Sequence, residues 1–94
     1  MEELFAALGT DARLLILDLI RRHDGINNQE IVEQMRLHKR PIDQPTVSHH
    51  LRVLRQAKLI TSTANGLYRH YSIVPETFLT LQRYLDVFVK VTIS

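Results

Sequence analysis

The 94-residue chain is long enough for one small domain, and a core of that size is marginal enough that a partner subunit is expected. Its composition, 45% hydrophobic and 23% charged residues, excludes a disordered chain. The absence of cysteine excludes disulfides, thiolate metal sites and a cysteine nucleophile. No apolar run approaches the ~20 residues of a membrane span, and the acidic N-terminus is not a signal peptide, so we expect a cytoplasmic protein.

The net charge of +2 is distributed unevenly along the chain. Residues 1–35 hold seven acidic side chains against three arginines, whereas residues 36–70 hold seven lysines and arginines against Asp43 alone. A basic middle third on an otherwise neutral to acidic chain indicates a polyanionic partner. Taken alone, the charge is equally compatible with random clustering on a solvated surface.

Three helices are predicted in the first third of the chain. An apolar helix over residues 2–8 is followed by a second, deeply buried helix that Thr10 can cap. A third helix begins after Asn27, and Glu30 occupies the capping-box position three residues later.

Residues 43–60 form the most informative segment, a predicted helix with one buried and one polar face. Asp43 can cap its first turn, and Val47, Leu51 and Leu54 recur at spacings of four and three, so they share the buried face. The opposite face carries no acid after Asp43. Its side chains are suited to reading base edges in a DNA major groove: Gln44, Thr46, Ser48, His49 and Arg52. This pattern is typical of a DNA recognition helix.

The last third predicts a hairpin and a helix. Asn65-Gly66, between two runs rich in β-branched and aromatic residues, is a strong hairpin signal, and Pro75 opens a final helix over about residues 76–90. The chain is therefore predicted to be one domain, 1–94, mainly α with a two-stranded β-wing, in the order α-α-α-α-β-β-α.

The first and last predicted helices carry more apolar surface than one small domain can bury. We therefore expect a homodimer in which residues 2–8 and 76–90 pack against a second copy. The predicted interface residues are Leu4, Phe5, Leu8, Phe78, Leu81, Leu85 and Phe88.

Three stretches resemble the ArsR/SmtB family of small winged helix-turn-helix repressors: FAALGTDARLLILDLI, QPTVSHHLRVLRQAKLI and NGLYRHYSI. The second is the most specific, because Gln-x-Thr-Val-Ser-x-His-Leu followed by Leu-x-x-Ala-x-Leu-Ile is hard to reach by chance. The resemblance implies a homodimer on double-stranded DNA. It would dock two recognition helices into successive major grooves of an imperfect inverted repeat, about 34–36 Å apart.

The resemblance implies a role for each residue that matches a functional position of the family. Four residues match base-facing positions: Gln44, Thr46, Ser48 and His49. Arg52 and Arg55 match phosphate-contacting positions, and the wing tip at Asn65, with Arg69 behind it, would lie along the backbone or minor groove. His50 matches a position that is more often structural than involved in readout.

The sequence lacks the residues with which family members usually sense metals. The third helix begins without the usual cysteines, and residues 76–90 contain no histidine. We therefore expect no metal and no other cofactor. A metal-responsive repressor with an atypical site remains an alternative, although the five histidines are scattered over different elements.

Two further departures lie beside the recognition helix. Segment 36–42 is longer by roughly six residues than the family's turn. It is either a tolerated surface insertion or a source of added phosphate contacts from His38, Lys39 and Arg40. Lys58 stands where a glycine commonly follows the recognition helix. Left-handed backbone at Lys58 would cost about 1 kcal/mol.

Other classes of function fit the sequence less well. An enzyme is not expected, because Ser48 and His49 diverge by about 100° on a helix and no glycine-rich loop supplies an oxyanion hole. A winged-helix protein-interaction module is the stronger rival, but it would favour an acidic or apolar recognition face. The sequence does not identify an effector, which leaves a small molecule, a protein partner or no ligand at all. A small-molecule cleft would lie near Phe5, Tyr84 and Phe88, although an aromatic cluster there more often reflects simple dimer packing.

Overall fold

The computed structural model describes the backbone of residues 1–93 and the side chains of residues 1–90. Its helices are α1 (Glu2–Ala7), α2 (Asp11–Arg22), α3 (Asn28–Leu37), α4 (Gln44–Gln56) and α5 (Pro75–Ile93). Its strands are β1 (Ile26–Asn27), β2 (Ile60–Asn65) and β3 (Tyr68–Ile73), in one antiparallel sheet of order β1-β3-β2. The predicted mainly helical fold with a β-wing is confirmed.

The sheet has one strand more than the two-stranded wing that the sequence predicts. Ile26 in β1 pairs with Tyr71 in β3, while β2 pairs with β3 along its whole length. A two-residue strand is too short to show alternation, and Asn27 also caps α3 as predicted, so the sequence signals only the helix there. The pairing ties the wing to the start of α3.

Side chains cap α2, α3 and α4 as the sequence predicts. Thr10 accepts from the Arg13 N–H at 3.2 Å, and Asp43 accepts from the Thr46 N–H at 3.0 Å. Asn27 forms a complete capping box with the third residue of α3. These caps satisfy N–H groups that a helix start otherwise leaves unpaired, so they fix where each helix begins.

The buried residues lie between α2, α3, α4 and the sheet. Ile16, Ile31 and Leu54 are fully buried there, one from each of the three helices. Leu4 of α1 joins the same cluster and is only 8% exposed. It therefore has little surface left for a second copy, which makes it a poor candidate for the predicted dimer interface. Helical spacing in a six-residue helix does not reveal which side packs on its own domain.

The other predicted interface residues divide into two groups. Leu8, Phe78 and Leu81 are half-buried and pack against the core cluster, so they offer only part of their surface. Phe5 and Leu85 are exposed, at 39% and 45%. Phe88 belongs with them, at 57%.

A lysine in left-handed backbone follows each helix of the helix-turn-helix. Lys39 after α3 has φ 59° and Lys58 after α4 has φ 61°. Behind Lys58, the Leu59 N–H donates to the Leu54 carbonyl at 3.0 Å, which is a Schellman arrangement. A non-glycine residue pays about 1–2 kcal/mol for this conformation. Lys58 therefore has the left-handed backbone that was only a conditional expectation from the sequence.

Replacing Lys58 with glycine should raise the free energy of unfolding by about 1 kcal/mol, because glycine adopts positive φ without a Cβ clash. Urea denaturation followed by circular dichroism measures the change. Lys58→Ala is the matched control, since it removes the same charge but keeps the Cβ. Equal stability of the two variants would show that the backbone at Lys58 is not strained.

Candidate nucleic-acid interface

Helix α4 presents its polar face to solvent, as the sequence predicts. Val47, Leu51 and Leu54 face the core and are at most 2% exposed. Every side chain predicted to contact DNA from this helix is exposed: Gln44, Thr46, Ser48, His49, Arg52 and Arg55. The helix therefore buries one face completely and leaves the polar face open to a ligand.

The N-terminal end of α4 is held by Asp43 and Thr46. The Thr46 side chain and backbone N–H stabilise the Asp43 carboxylate and hold its pKa below the ordinary value. Ionised Asp43 is favoured at the positive end of the helix dipole. Thr46 therefore stabilises the helix cap in addition to lying on the exposed face. The sequence pattern predicted only the second of these roles.

A cleft of about 280 Å³ separates α4 from the wing. It is lined by Asn28, Ser48, Leu51, Arg52, Arg55, Leu67, Arg69 and Tyr71. Three of these side chains are guanidinium groups, two from α4 and one from β3. The fold thus brings together, around one cleft, arginines that the sequence places on separate elements.

None of the three cleft arginines pairs with a carboxylate among the described side chains. Arg69 donates to the Ser62 hydroxyl at 3.0 Å, which orients its guanidinium along the wing. Several positive charges close together without counter-charges attract a polyanion. Arginine also pairs with phosphate through two parallel hydrogen bonds.

Asn28 lines the same cleft, although it is not among the residues that the sequence predicts to contact DNA. Its Oδ1 is buried and has no hydrogen-bond partner within the described part of the chain. A buried acceptor without a donor costs free energy, so such positions usually mark a place where a water or ligand completes the site. The sequence carried no signal for it, because Asn28 directly follows the capping residue Asn27.

The wing tip is the most exposed part of the interface. Asn65 is exposed but belongs to β2 and pairs with Tyr68, so the two-residue turn is Gly66-Leu67 rather than the predicted Asn65-Gly66. Gly66 has φ 67°, the positive value that suits the first residue of such a turn. Leu67 is 94% exposed at the tip, although it also lines the cleft. The tip therefore projects a short polar and apolar edge beside the polar face of α4.

One of the two basic side chains proposed to contact DNA from the loop between α3 and α4 already has an acidic partner. Arg40 lies 3.8 Å from the Asp11 carboxylate at the start of α2, and both side chains are exposed. An exposed pair of this kind is weak, so DNA could still compete for Arg40. Lys39 is exposed and forms no salt bridge with any described side chain.

The two adjacent histidines of α4 have different surroundings. His49 is exposed, whereas His50 is half-buried with its Nδ1 3.2 Å from Arg13 Nη1. Their ring centroids are 5.9 Å apart. Burial, followed by the nearby charges of Arg13 and His49, lowers the pKa of His50 below 6.5. His50 therefore occupies a structural contact, and His49 occupies the open face.

A second surface lies on α5, away from the arginine cleft. The Tyr84 ring packs between Phe5 and Phe88, with centroid distances of 5.7 and 5.6 Å. Leu85 and Val89 next to them are about half-exposed. These rings pack against one another at the place where the sequence left open either a small-molecule cleft or dimer packing. A contiguous exposed apolar surface of this kind typically marks a protein–protein interface.

Two features of residues 1–93 bear on other functions. No helix there has the length and hydrophobicity that crossing a membrane requires. No three histidine, aspartate or glutamate side chains come together in the same region as a metal-binding group.

Residues 10–62 match the family model for the bacterial regulatory proteins of the arsR family. MJ1325, an uncharacterised HTH-type transcriptional regulator of Methanocaldococcus jannaschii, is 31% identical over 84 residues, 89% of each chain. The transcriptional repressor SdpR of Bacillus subtilis is 33% identical over 73 residues, 78% of this chain and 74% of SdpR. The fold is similar to the homodimeric winged helix-turn-helix DNA-binding domain Mb0332 of Mycobacterium bovis. The TM-score is 0.71 at 22% identity, covering 95% of this chain and 77% of that one.

Proposed function

Because the chain belongs to the arsR family of bacterial regulatory proteins, we propose that it represses transcription by binding an imperfect inverted repeat as a homodimer. The family and fold are those of DNA-binding transcriptional regulators rather than enzymes. Repression, dimerisation and the form of the binding site are the new elements of this proposal.

The arginine-lined cleft beside the polar face of α4 carries the proposal. In the proposed complex, α4 enters a major groove and the wing follows the neighbouring backbone. Gln44, Ser48 and His49 then contact base edges. Arg52 and Arg55 meet phosphates. The remaining contacts are Thr46 near the bases, Arg69 and Asn65 at the wing, and Lys39 and Arg40 in the loop before α4.

The exposed apolar surface of α5 supports the homodimer. Phe5, Tyr84 and Phe88 form its aromatic part, with Leu85 beside them. The Mycobacterium bovis domain that shares this fold is homodimeric, and SdpR is a repressor. Two copies joined through α1 and α5 would place their recognition helices on two half-sites about 34–36 Å apart.

Selection of random-sequence duplexes on the purified protein tests the proposed function. Sequencing of the bound DNA should yield two inverted half-sites whose centres lie about 10–10.5 base pairs apart. At physiological salt, the selected duplex should bind roughly 10³-fold or more tightly than random duplex. Recovery of no common sequence, with equal affinity for every duplex, would contradict sequence-specific repression.

Two single substitutions on α4 should distinguish base contacts from phosphate contacts. Ser48→Ala should reduce discrimination against one altered base pair of the selected duplex by about 1–3 kcal/mol. Arg55→Ala should weaken selected and random duplexes alike, because phosphate contacts carry no sequence information. Anisotropy titrations with both duplexes measure these effects. The assignment fails if Arg55→Ala changes the ratio of the two affinities and Ser48→Ala leaves it unchanged.

A further inference from the structure

Arg13, near the start of α2, links the end of α1 to the recognition helix. Its Nε donates to the Ala7 carbonyl at 2.8 Å and its Nη2 donates to the Ala6 carbonyl at 3.1 Å. Its remaining terminal nitrogen, Nη1, lies 3.2 Å from His50 Nδ1. The backbone of Arg13 is itself fixed, because its N–H donates to the Thr10 hydroxyl. One half-buried guanidinium therefore connects three helices.

The contact with Arg13 defines the protonation state of His50. Arginine is always charged and has only donors, so Nδ1 of His50 must be the acceptor. The imidazole is then neutral and carries its proton on Nε2. Burial and the charges of Arg13 and His49 lower the pKa of His50, which agrees with the neutral form.

We propose that Arg13 is a positioning residue for DNA binding, which holds the recognition helix in register with α1 through the acceptor nitrogen of neutral His50. The inference rests on the proposed function, since it concerns how that DNA is read. His50 adjoins His49 and lies two positions after Ser48, so a small rotation of α4 moves both proposed base contacts.

The same contact connects the DNA-reading helix to the proposed dimer surface. Arg13 binds the last turn of α1, and Phe5 of that helix contacts Tyr84 of α5 at 5.7 Å. A change in α1 can therefore reach α4 through two hydrogen-bonded carbonyls and one histidine. Displacements along such packed contacts typically change affinity between sites by a few-fold to tens of times.

Protonation of His50 should break the link. The imidazolium has no acceptor for Arg13, and two positive charges would then lie about 3 Å apart. The charged or titratable groups that act on His50 are Arg13 from α2 and His49 on its own helix. Because the pKa of His50 is lowered, the neutral form that Arg13 requires is fully present above pH ~6.5. It is lost as the pH falls through the lower pKa of the folded protein.

The test compares wild type with His50→Asn at several pH values and constant salt. Asparagine places an amide oxygen near the position of Nδ1, so it can accept from Arg13 but cannot be protonated. The probes are the duplex selected by the wild-type protein and a random duplex of equal length. The measured quantity is the dissociation constant for the random duplex divided by that for the selected duplex, determined from pH 8 to pH 5. The two proteins share every other residue, so their difference isolates His50.

We expect the wild-type ratio to fall about tenfold more than the His50→Asn ratio as the solution is acidified. Superimposable pH profiles would overturn the inference. A wild-type protein with no preference for the selected duplex at pH 8 would instead overturn the proposed function. These two failures are therefore distinguishable.

Arg13→Met provides an independent check. Methionine keeps much of the apolar stem but removes every donor. At pH 8, the preference of the Arg13→Met protein for the selected duplex over the random duplex should already be about tenfold lower than that of wild type. This preference should not fall further when His50 is protonated. Thermal unfolding of each variant shows whether the protein is folded under the assay conditions. A folded Arg13→Met protein with wild-type discrimination and pH profile would overturn the inference.

Discussion

Replacing Leu85 with glutamate should separate the proposed homodimer and lower affinity for the selected duplex by about 10²–10⁴-fold. Leu85 is 45% exposed on the apolar side of α5, next to the Phe5, Tyr84 and Phe88 rings. A carboxylate buried there in the dimer would lose its hydration without gaining a partner. A monomer binds one half-site and loses the effective concentration that links the second half-site to the first.

Val87→Glu is the matched control for that substitution. Val87 lies on the same helix and is 58% exposed, but it shares a face with the polar residues Thr80 and Arg83. Both substitutions introduce the same carboxylate in place of an exposed aliphatic side chain. Sedimentation should show a monomer for Leu85→Glu and a dimer for Val87→Glu. If both variants remain dimers with unchanged affinity, α5 is not the dimer surface.

Raising the salt concentration from 50 to 200 mM should weaken binding to any duplex by roughly 10³-fold or more. Arg52, Arg55 and Arg69 line the cleft in each chain, so these three side chains alone would neutralise about six phosphates in the proposed dimer, before contacts from Lys39 and Arg40 are counted. Each neutralised phosphate releases counterions, and the logarithm of the binding constant should fall with a slope near −0.9 per contact.

Anisotropy titrations at four or more salt concentrations give this slope directly. Arg69→Ala should reduce its magnitude by about two, one contact for each chain of the proposed dimer. Arg21→Ala is the control, because Arg21 lies on α2 and pairs with Asp18 at 2.6 Å, away from the cleft. A slope near zero for wild type would contradict phosphate binding by the cleft arginines.

Local sequence patterns predicted the elements that position the interface. In α4, Val47, Leu51 and Leu54 revealed the buried face by spacing alone, because a helix brings residues three and four apart onto one side. Asn65-Gly66 located the wing for a similarly local reason, but the two-residue turn itself is Gly66-Leu67, one position later than predicted, because Asn65 pairs with Tyr68 and only Gly66 has positive φ. These signals depend only on neighbouring residues.

Features that depend on distant residues were not predictable in this way. Arg13 and His50 are 37 positions apart, and nothing in either segment alone indicates that they meet. The short strand at Ile26 forms because β3 offers a free edge, and two residues carry no period. Leu4 was assigned to a dimer surface, but the core of its own domain buries it.

The backbone conformation of the lysines after α3 and α4 was only partly predictable from the local sequence. The missing glycine after α4 made left-handed backbone at Lys58 a possibility to consider, and the structure gives φ 61° there. Lys39 has the same conformation at φ 59°, but Pro41 indicated only that a loop begins nearby. Strain of this kind is maintained when the surrounding structure or a function requires it. Both lysines flank the recognition helix, where a positive charge favours DNA.

The most direct test of DNA reading by α4 is an NMR titration of the ¹⁵N-labelled protein with the selected duplex. The largest changes in backbone amide shifts should fall at residues 44–55 and at the wing tip, 65–67. Residues 79–89 of α5 should change little, because they form the proposed dimer surface in both free and bound protein. Shift changes confined to α1 or α5, with none in α4, would contradict the assignment of α4 as the recognition helix.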